Sequence, residues 1–154
     1  MKNIGIPAKF GIMIAVGLIV YFLALSLVGL HTNPLFSFLN GAIMGLGIWL
    51  AIKAKQSSKS GRFKYAQGFT TGLVTGFIAT TIFTVFFAIY ASELNPDFLD
   101  QYLTVWRSDY KTGLGVTLFT VYAMGAASTF ALTLAFMQLF KNSWNTQEAE
   151  KHTL

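Results

Sequence analysis

Gly68-Phe-Thr-Thr-Gly-Leu-Val-Thr-Gly76 sets a glycine at every fourth position of a run that is otherwise apolar or hydroxylated. In a helix bathed by water each such glycine destabilises by roughly 1 kcal/mol relative to alanine. Lipid reverses that balance. Hydrocarbon tails are as apolar as leucine, so membrane helices associate through close packing and hydrogen bonds, both of which small residues permit. The stretch therefore reads as one side of a transmembrane helix. Thr80, Thr84, Ala88 and Ser92 continue the row, and Thr71, Thr75 and Ala79 run beside it. Phe69, Leu73, Phe77, Ile78, Ile82, Val85, Phe86 and Ile89 are left for the lipid side.

Composition agrees. Of the 154 residues, 54% are hydrophobic and 11% charged, well below the roughly 25% charged of soluble domains. A hydrocarbon core about 30 Å thick takes roughly 20 apolar residues of helix. Four stretches meet that need without a Lys, Arg, Asp or Glu inside: 10–30, 35–52, 67–91 and 113–140. Backbone amides in lipid must be satisfied internally, so these are helices. The first apolar run exceeds the core of a secretory signal and reads as a retained anchor. His31-Thr-Asn-Pro34 is a tight joint, with Asn33 as cap and Pro34 in the first turn of the second span. The expected fold is all-α, a single domain over 1–154 forming an up-and-down integral membrane four-helix bundle.

The Lys and Arg bias sets orientation. Lys2, Lys9, Lys53, Lys55, Lys59, Arg62, Lys64, Lys141 and Lys151 fall on one side, with Glu148 and Glu150; Arg107 and Lys111 fall on the other, with Glu93, Asp97, Asp100 and Asp109. Both termini, the middle loop and the tail 141–154 are expected in the cytoplasm. Charge that marks topology in this way argues against nucleic acid as a partner and leaves membrane lipids as the natural one.

Matching small-residue rows lie on other spans. Ala123, Ala127, Ala131 and Ala135 form one on the fourth, with Gly125, Thr129 and Thr133 alongside; spans three and four are the expected tight pair. Gly41 to Gly45 on the second span, followed by Gly47, and Gly11 to Ala15 on the first are shorter versions. Such rows hold one protomer together or receive a second copy or another membrane subunit.

Between spans three and four, Asn95 and Pro96 open a short helix over about 96–110, with acidic residues in its first turn and Arg107 and Lys111 at its end. Phe98, Tyr102, Trp106 and Tyr110 recur every four residues, an aromatic face suited to lying at headgroup level on the outer surface.

Chemistry leaves little trace. The chain has no cysteine, and no Asp, Glu, Lys, Arg or His sits within a span, where a catalytic or transporting group would be expected. His31 and His152 fall on opposite sides of the membrane, so one chain cannot bring them to a shared haem or metal. Asn40 is the polar residue deepest in a span; it bonds a neighbouring helix or lines a polar path, while Gln67 and Gln138 lie near the interface. No catalytic residue, metal site or cofactor is expected, and the chain reads as a non-enzymatic accessory or assembly subunit. The alternative is an oligomeric permeation or export protein with its path near Asn40.

Four spans with a short first turn, a basic loop, Phe63-Lys-Tyr-Ala-Gln-Gly-Phe-Thr-Thr-Gly72 opening span three, and Asn95-Pro-Asp-Phe-Leu99 after it resemble a family of small bacterial inner-membrane proteins, domain of unknown function 4199. The similarity covers roughly residues 5–140. It implies a four-helix inner-membrane fold and supplies no activity, catalytic residue or cofactor.

Overall fold

The structure, a computed structural model, describes residues 5–30, 34–58, 64–94 and 113–140. Among these the chain forms α1 (Ile6–Leu27), α2 (Pro34–Ser57), α3 (Tyr65–Ile89), a π-helical turn (Tyr90–Leu94) that prolongs α3, and α4 (Leu114–Leu139). All four α-helices are long and apolar enough to cross a membrane.

Helix ends depart from the spans expected by hydropathy. Pro7 in the first turn starts α1 ahead of Lys9, which points outward. α2 continues past Ile52 to Ser57, and Lys53 folds back so that its ammonium stands 4.7 Å from the centre of the Trp49 ring. Long basic side chains of this kind reach out of lipid while their helix continues. α1 stops at Leu27 because Gly29 takes φ +71°. The Leu30 amide donates to the Leu25 carbonyl at 2.9 Å and the Gly29 amide to Ser26 at 3.2 Å, a glycine-terminated cap that satisfies carbonyls the helix would orphan. No described residue stands within 4 Å of a Cβ at Gly29, so among the described residues the backbone angle alone calls for glycine there. Gly29→Ala is expected to lower stability by about 1 kcal/mol with no change in packing, measured by reversible unfolding in detergent.

Contacts fix the up-and-down order. Ile43 of α2 lies over Gly17 and Ile14 of α1 lies over Gly47, an antiparallel pair. The Tyr21 hydroxyl donates to the Phe36 carbonyl at 3.0 Å, joining the end of α1 to the start of α2. Gly11 of α1 meets Thr75 and Ile78 of α3, and Ser26 bonds Tyr90 farther along, so α1 and α3 run parallel. α3 touches all three other helices; α4 packs on α3 and, more narrowly, on α2.

Two apolar clusters fill the interior. Ile14, Leu18, Met44, Ile48, Ile52, Ala79 and Met137 form one towards the end that carries the lysines of α2. Phe22, Phe87, Tyr90 and Ala91 form the other, towards the far end of α3. Phe22 meets Phe83, Phe86, Phe87 and Tyr90 edge-on, with centroids 4.9–6.2 Å apart, the arrangement that the ring quadrupole favours.

The hub position of α3 corrects the expectation that its bulky residues face lipid. Val85 and Ile89 do point outward, but Ile78 covers Gly11, and Phe69 and Phe86 pack against the two clusters. The buried side also leaves the row of small residues beyond Thr80. It continues through Phe83, Phe87, Tyr90 and Ala91, while Ser92 is exposed and donates its hydroxyl to the Ala88 carbonyl at 2.9 Å. Steps of four residues turn a helix by about 400°, so a fixed four-residue row drifts off a fixed neighbour.

Candidate functional site

The small-residue faces are the feature with the most specific geometry. Gly72, Gly76 and Thr80 of α3 meet Thr133, Thr129 and Gly125 of α4 in turn, four residues up one helix for every four down the other. A Cβ at Gly72 would lie 2.6 Å from Thr133 Cγ2, and one at Gly125 would lie 2.6 Å from Thr80 Cγ2. At Gly76 it would overlap the Thr129 side chain. Each glycine is thus a socket for a threonine, and the partners exchange roles along the seam. Gly68, one turn earlier, is also buried.

On its other side α3 meets α1 by the same means. A Cβ at Gly11 would stand 2.8 Å from Ile78 Cβ and 2.9 Å from the Thr75 carbonyl oxygen, and Ala15, Thr75 and Ala79 have no exposed surface. The backbone oxygen cannot step aside as a flexible side chain can, so α1 is seated at least as closely as α4.

The row expected on α4 lies elsewhere. Ala127, Ala131 and Ala135 are exposed and Ala123 is half-buried. Two residues turn a helix by about 200°, so the Ala123 row and the Gly125 row occupy nearly opposite sides, and the bundle uses the second. Gly41 on α2 takes no part in the seams within the bundle: no described residue stands within 4 Å of a Cβ there. Gly45 has Leu132 of α4 at 3.4 Å, an ordinary contact, whereas Gly47 makes room for Ile14. Phe98, Tyr102, Trp106, Tyr110, His31 and His152 lie outside the described residues.

Hydroxyls line the seams without all finding partners. Thr71 donates to the Gln67 carbonyl at 2.7 Å and Thr129 to the Gly125 carbonyl at 2.8 Å, each one turn back along its own helix. The Oγ1 atoms of Thr75, Thr80, Thr84, Thr117 and Thr133 are buried with no hydrogen-bond partner among the described residues, as are Asn40 Oδ1 and Gln67 Oε1. A buried unpaired hydroxyl destabilises by about 1–3 kcal/mol on protein mutational scales. Thr133→Val, which keeps the shape over Gly72, is therefore expected to raise stability by about 1 kcal/mol. Thr129→Val, which breaks a bond, is expected to lower it; paired unfolding curves check both.

Sequence reasoning missed the Phe22 cluster, since phenylalanine facing lipid and phenylalanine facing a helix look alike in the chain. It also passed over the glycine cap at Gly29, for which a signal existed: glycine just beyond an apolar run.

Close-packed up-and-down helices, held by glycine and threonine and sheathed in exposed Leu, Val, Phe and Met, define a multi-pass membrane protein of the four-helix class. The chain belongs to the family described as Protein of unknown function (DUF4199), whose model matches residues 9–143. Neither the curated proteins nor the solved structures provide a match.

Proposed function

We propose that the protein is a non-enzymatic accessory or assembly subunit of a bacterial inner membrane, with both termini cytoplasmic, that joins a larger membrane complex or a second copy of itself through the outer face of α4. The observation that supports this reading is the alanine row that no described helix covers. Within the bundle α4 is the least enclosed helix, with 11% of its most apolar stretch buried against 28–33% in the others. Its outward side carries Ala127, Ala131 and Ala135, residues small enough to admit another helix closely.

Purification of the full chain in a mild, lipid-retaining detergent tests it. Co-isolation of a membrane partner, or a stable oligomer, is expected, and Ala127→Leu with Ala131→Leu should release it while the α3–α4 seam stays intact. A lone monomer from the unaltered chain would count decisively against the proposal. Orientation is checked separately: in sealed vesicles Lys59 and Lys111 should be cleaved by trypsin from opposite sides.

One observation favours a second reading. Asn40 Oδ1 is buried without a partner among the described residues, as a group lining a polar path in an oligomer would be before its water or solute is added. Solute flux that vanishes in Asn40→Leu would establish that reading; unchanged flux would exclude it.

A further inference from the structure

At the end of the bundle that bears the lysines of α2, the start of α1, the last turns of α2 and the first turns of α3 surround an open cleft of about 420 Å³. That size falls in the range of roughly 300–1,000 Å³ typical of small-ligand sites. Pro7, Ala66 and Val74 make its walls largely apolar, and Lys55, Gln67 and Thr70 supply polar groups. We propose that this cleft holds an anionic phospholipid whose headgroup carries hydroxyl groups, of the phosphatidylglycerol type, drawn from the leaflet at that end.

Charge complementarity carries the first part. Every basic residue among the described ones, Lys9, Lys53, Lys55 and Lys64, lies at this end, and the one described acidic residue, Glu93, lies at the far end of α3. Lys53 is already seated on Trp49, which leaves Lys55 as the cation that the cleft presents. The cleft opens where the helices pass from apolar to basic sequence, the level of the headgroups, so a phosphate beside Lys55 places its acyl chains along apolar walls.

Gln67 carries the second part. Its Oε1 is buried and has no donor among the described residues. Thr71, on the same wall, has committed its hydroxyl to the Gln67 backbone carbonyl and cannot supply one. An ionised phosphate diester only accepts hydrogen bonds. A glycerol headgroup adds hydroxyl donors to that phosphate, and a turn of the Gln67 amide toward the cleft brings Oε1 to them; a choline headgroup keeps the phosphate but offsets its charge and supplies no hydroxyl donor.

Native mass spectrometry of the full chain, delipidated and then incubated with defined lipids, decides the matter. The probes are phosphatidylglycerol, phosphatidylethanol (equally anionic, with no headgroup hydroxyl) and phosphatidylcholine. Retention is expected to fall in that order. Lys55→Gln should lower retained phosphatidylglycerol about fivefold, the effect of one surface cation, and Lys55→Arg should restore it. Gln67→Leu should abolish the advantage over phosphatidylethanol while sparing that over phosphatidylcholine. Helicity is followed by circular dichroism, and Glu93→Gln, at the far end, should behave as the unaltered chain does. Equal retention of phosphatidylglycerol and phosphatidylcholine would overturn the proposal, as would an unaffected Lys55→Gln chain. Displacement of the lipid by excess inorganic phosphate would overturn it too, since it would make the site one for free anions.

Discussion

Gly76→Leu will detach α4 from α3. Gly76 is buried at the middle of the seam, and even one added carbon meets the Thr129 side chain; four carbons must push the helices apart along their length. Overpacking of a close-fitted interior costs about 1–3 kcal/mol where neighbours can shift. Here Thr133 over Gly72 and Thr80 over Gly125 occupy the turns on either side, so the upper figure of about 3 kcal/mol is expected. The chain has no native cysteine, which permits a direct measurement. Phe77 and Phe130 face each other across the same seam, with ring centres 5.5 Å apart. Cysteines placed at these two positions should be bridged readily by a bifunctional thiol reagent in the parent chain and poorly when Gly76→Leu is added. Exchange of the pair, Gly76→Thr with Thr129→Gly, should recover most of the loss, because the seam already uses both polarities of the contact. An additive double variant would show that the two residues do not meet.

Phe22→Ala will have the second large effect, on the other half of the bundle. Phe22 touches four rings on α3 and the π-helical turn, and its removal leaves a void among Phe83, Phe86, Phe87 and Tyr90. In soluble cores this change costs about 3–5 kcal/mol, part of it transfer from water. A membrane protein unfolds within detergent or lipid, so the transfer part largely falls away and the lost contacts remain; about 2 kcal/mol is expected. Tyr90→Phe isolates the polar share. It deletes the 2.6 Å hydrogen bond with Ser26 and should cost about 0.6 kcal/mol and at most about 1.7. Equilibrium unfolding of the two variants in a common detergent checks both figures, and a Tyr90→Phe loss above that of Phe22→Ala would refute the ranking.

Hydropathy made the four helices legible because lipid admits few alternatives, and the glycine row identified α3 as a close-packing helix before any geometry was known. Helix ends were less legible. Hydropathy locates the edge of oil, whereas α2 runs on through Lys53 and Lys55 and stops by its own rules. The choice between the Ala123 and Gly125 rows was illegible in principle: both have the right spacing, and a neighbour selects one only when threonines on α3 and α4 find glycines opposite them in register. The cleft at the basic end was invisible for a related reason. Pro7, Lys55 and Gln67 are remote in the chain and converge only when three helix ends gather at one corner.

The interlocked seam between α3 and α4 has a bearing on biogenesis. The ribosome delivers α4 after α3, so for an interval the nascent chain holds Gly72, Gly76 and their hydroxylated neighbours without a mate. A polypeptide halted before residue 113 would stay in that state, displaying a notched, polar-flecked flank to the bilayer. That flank is covered only once the last helix closes on it.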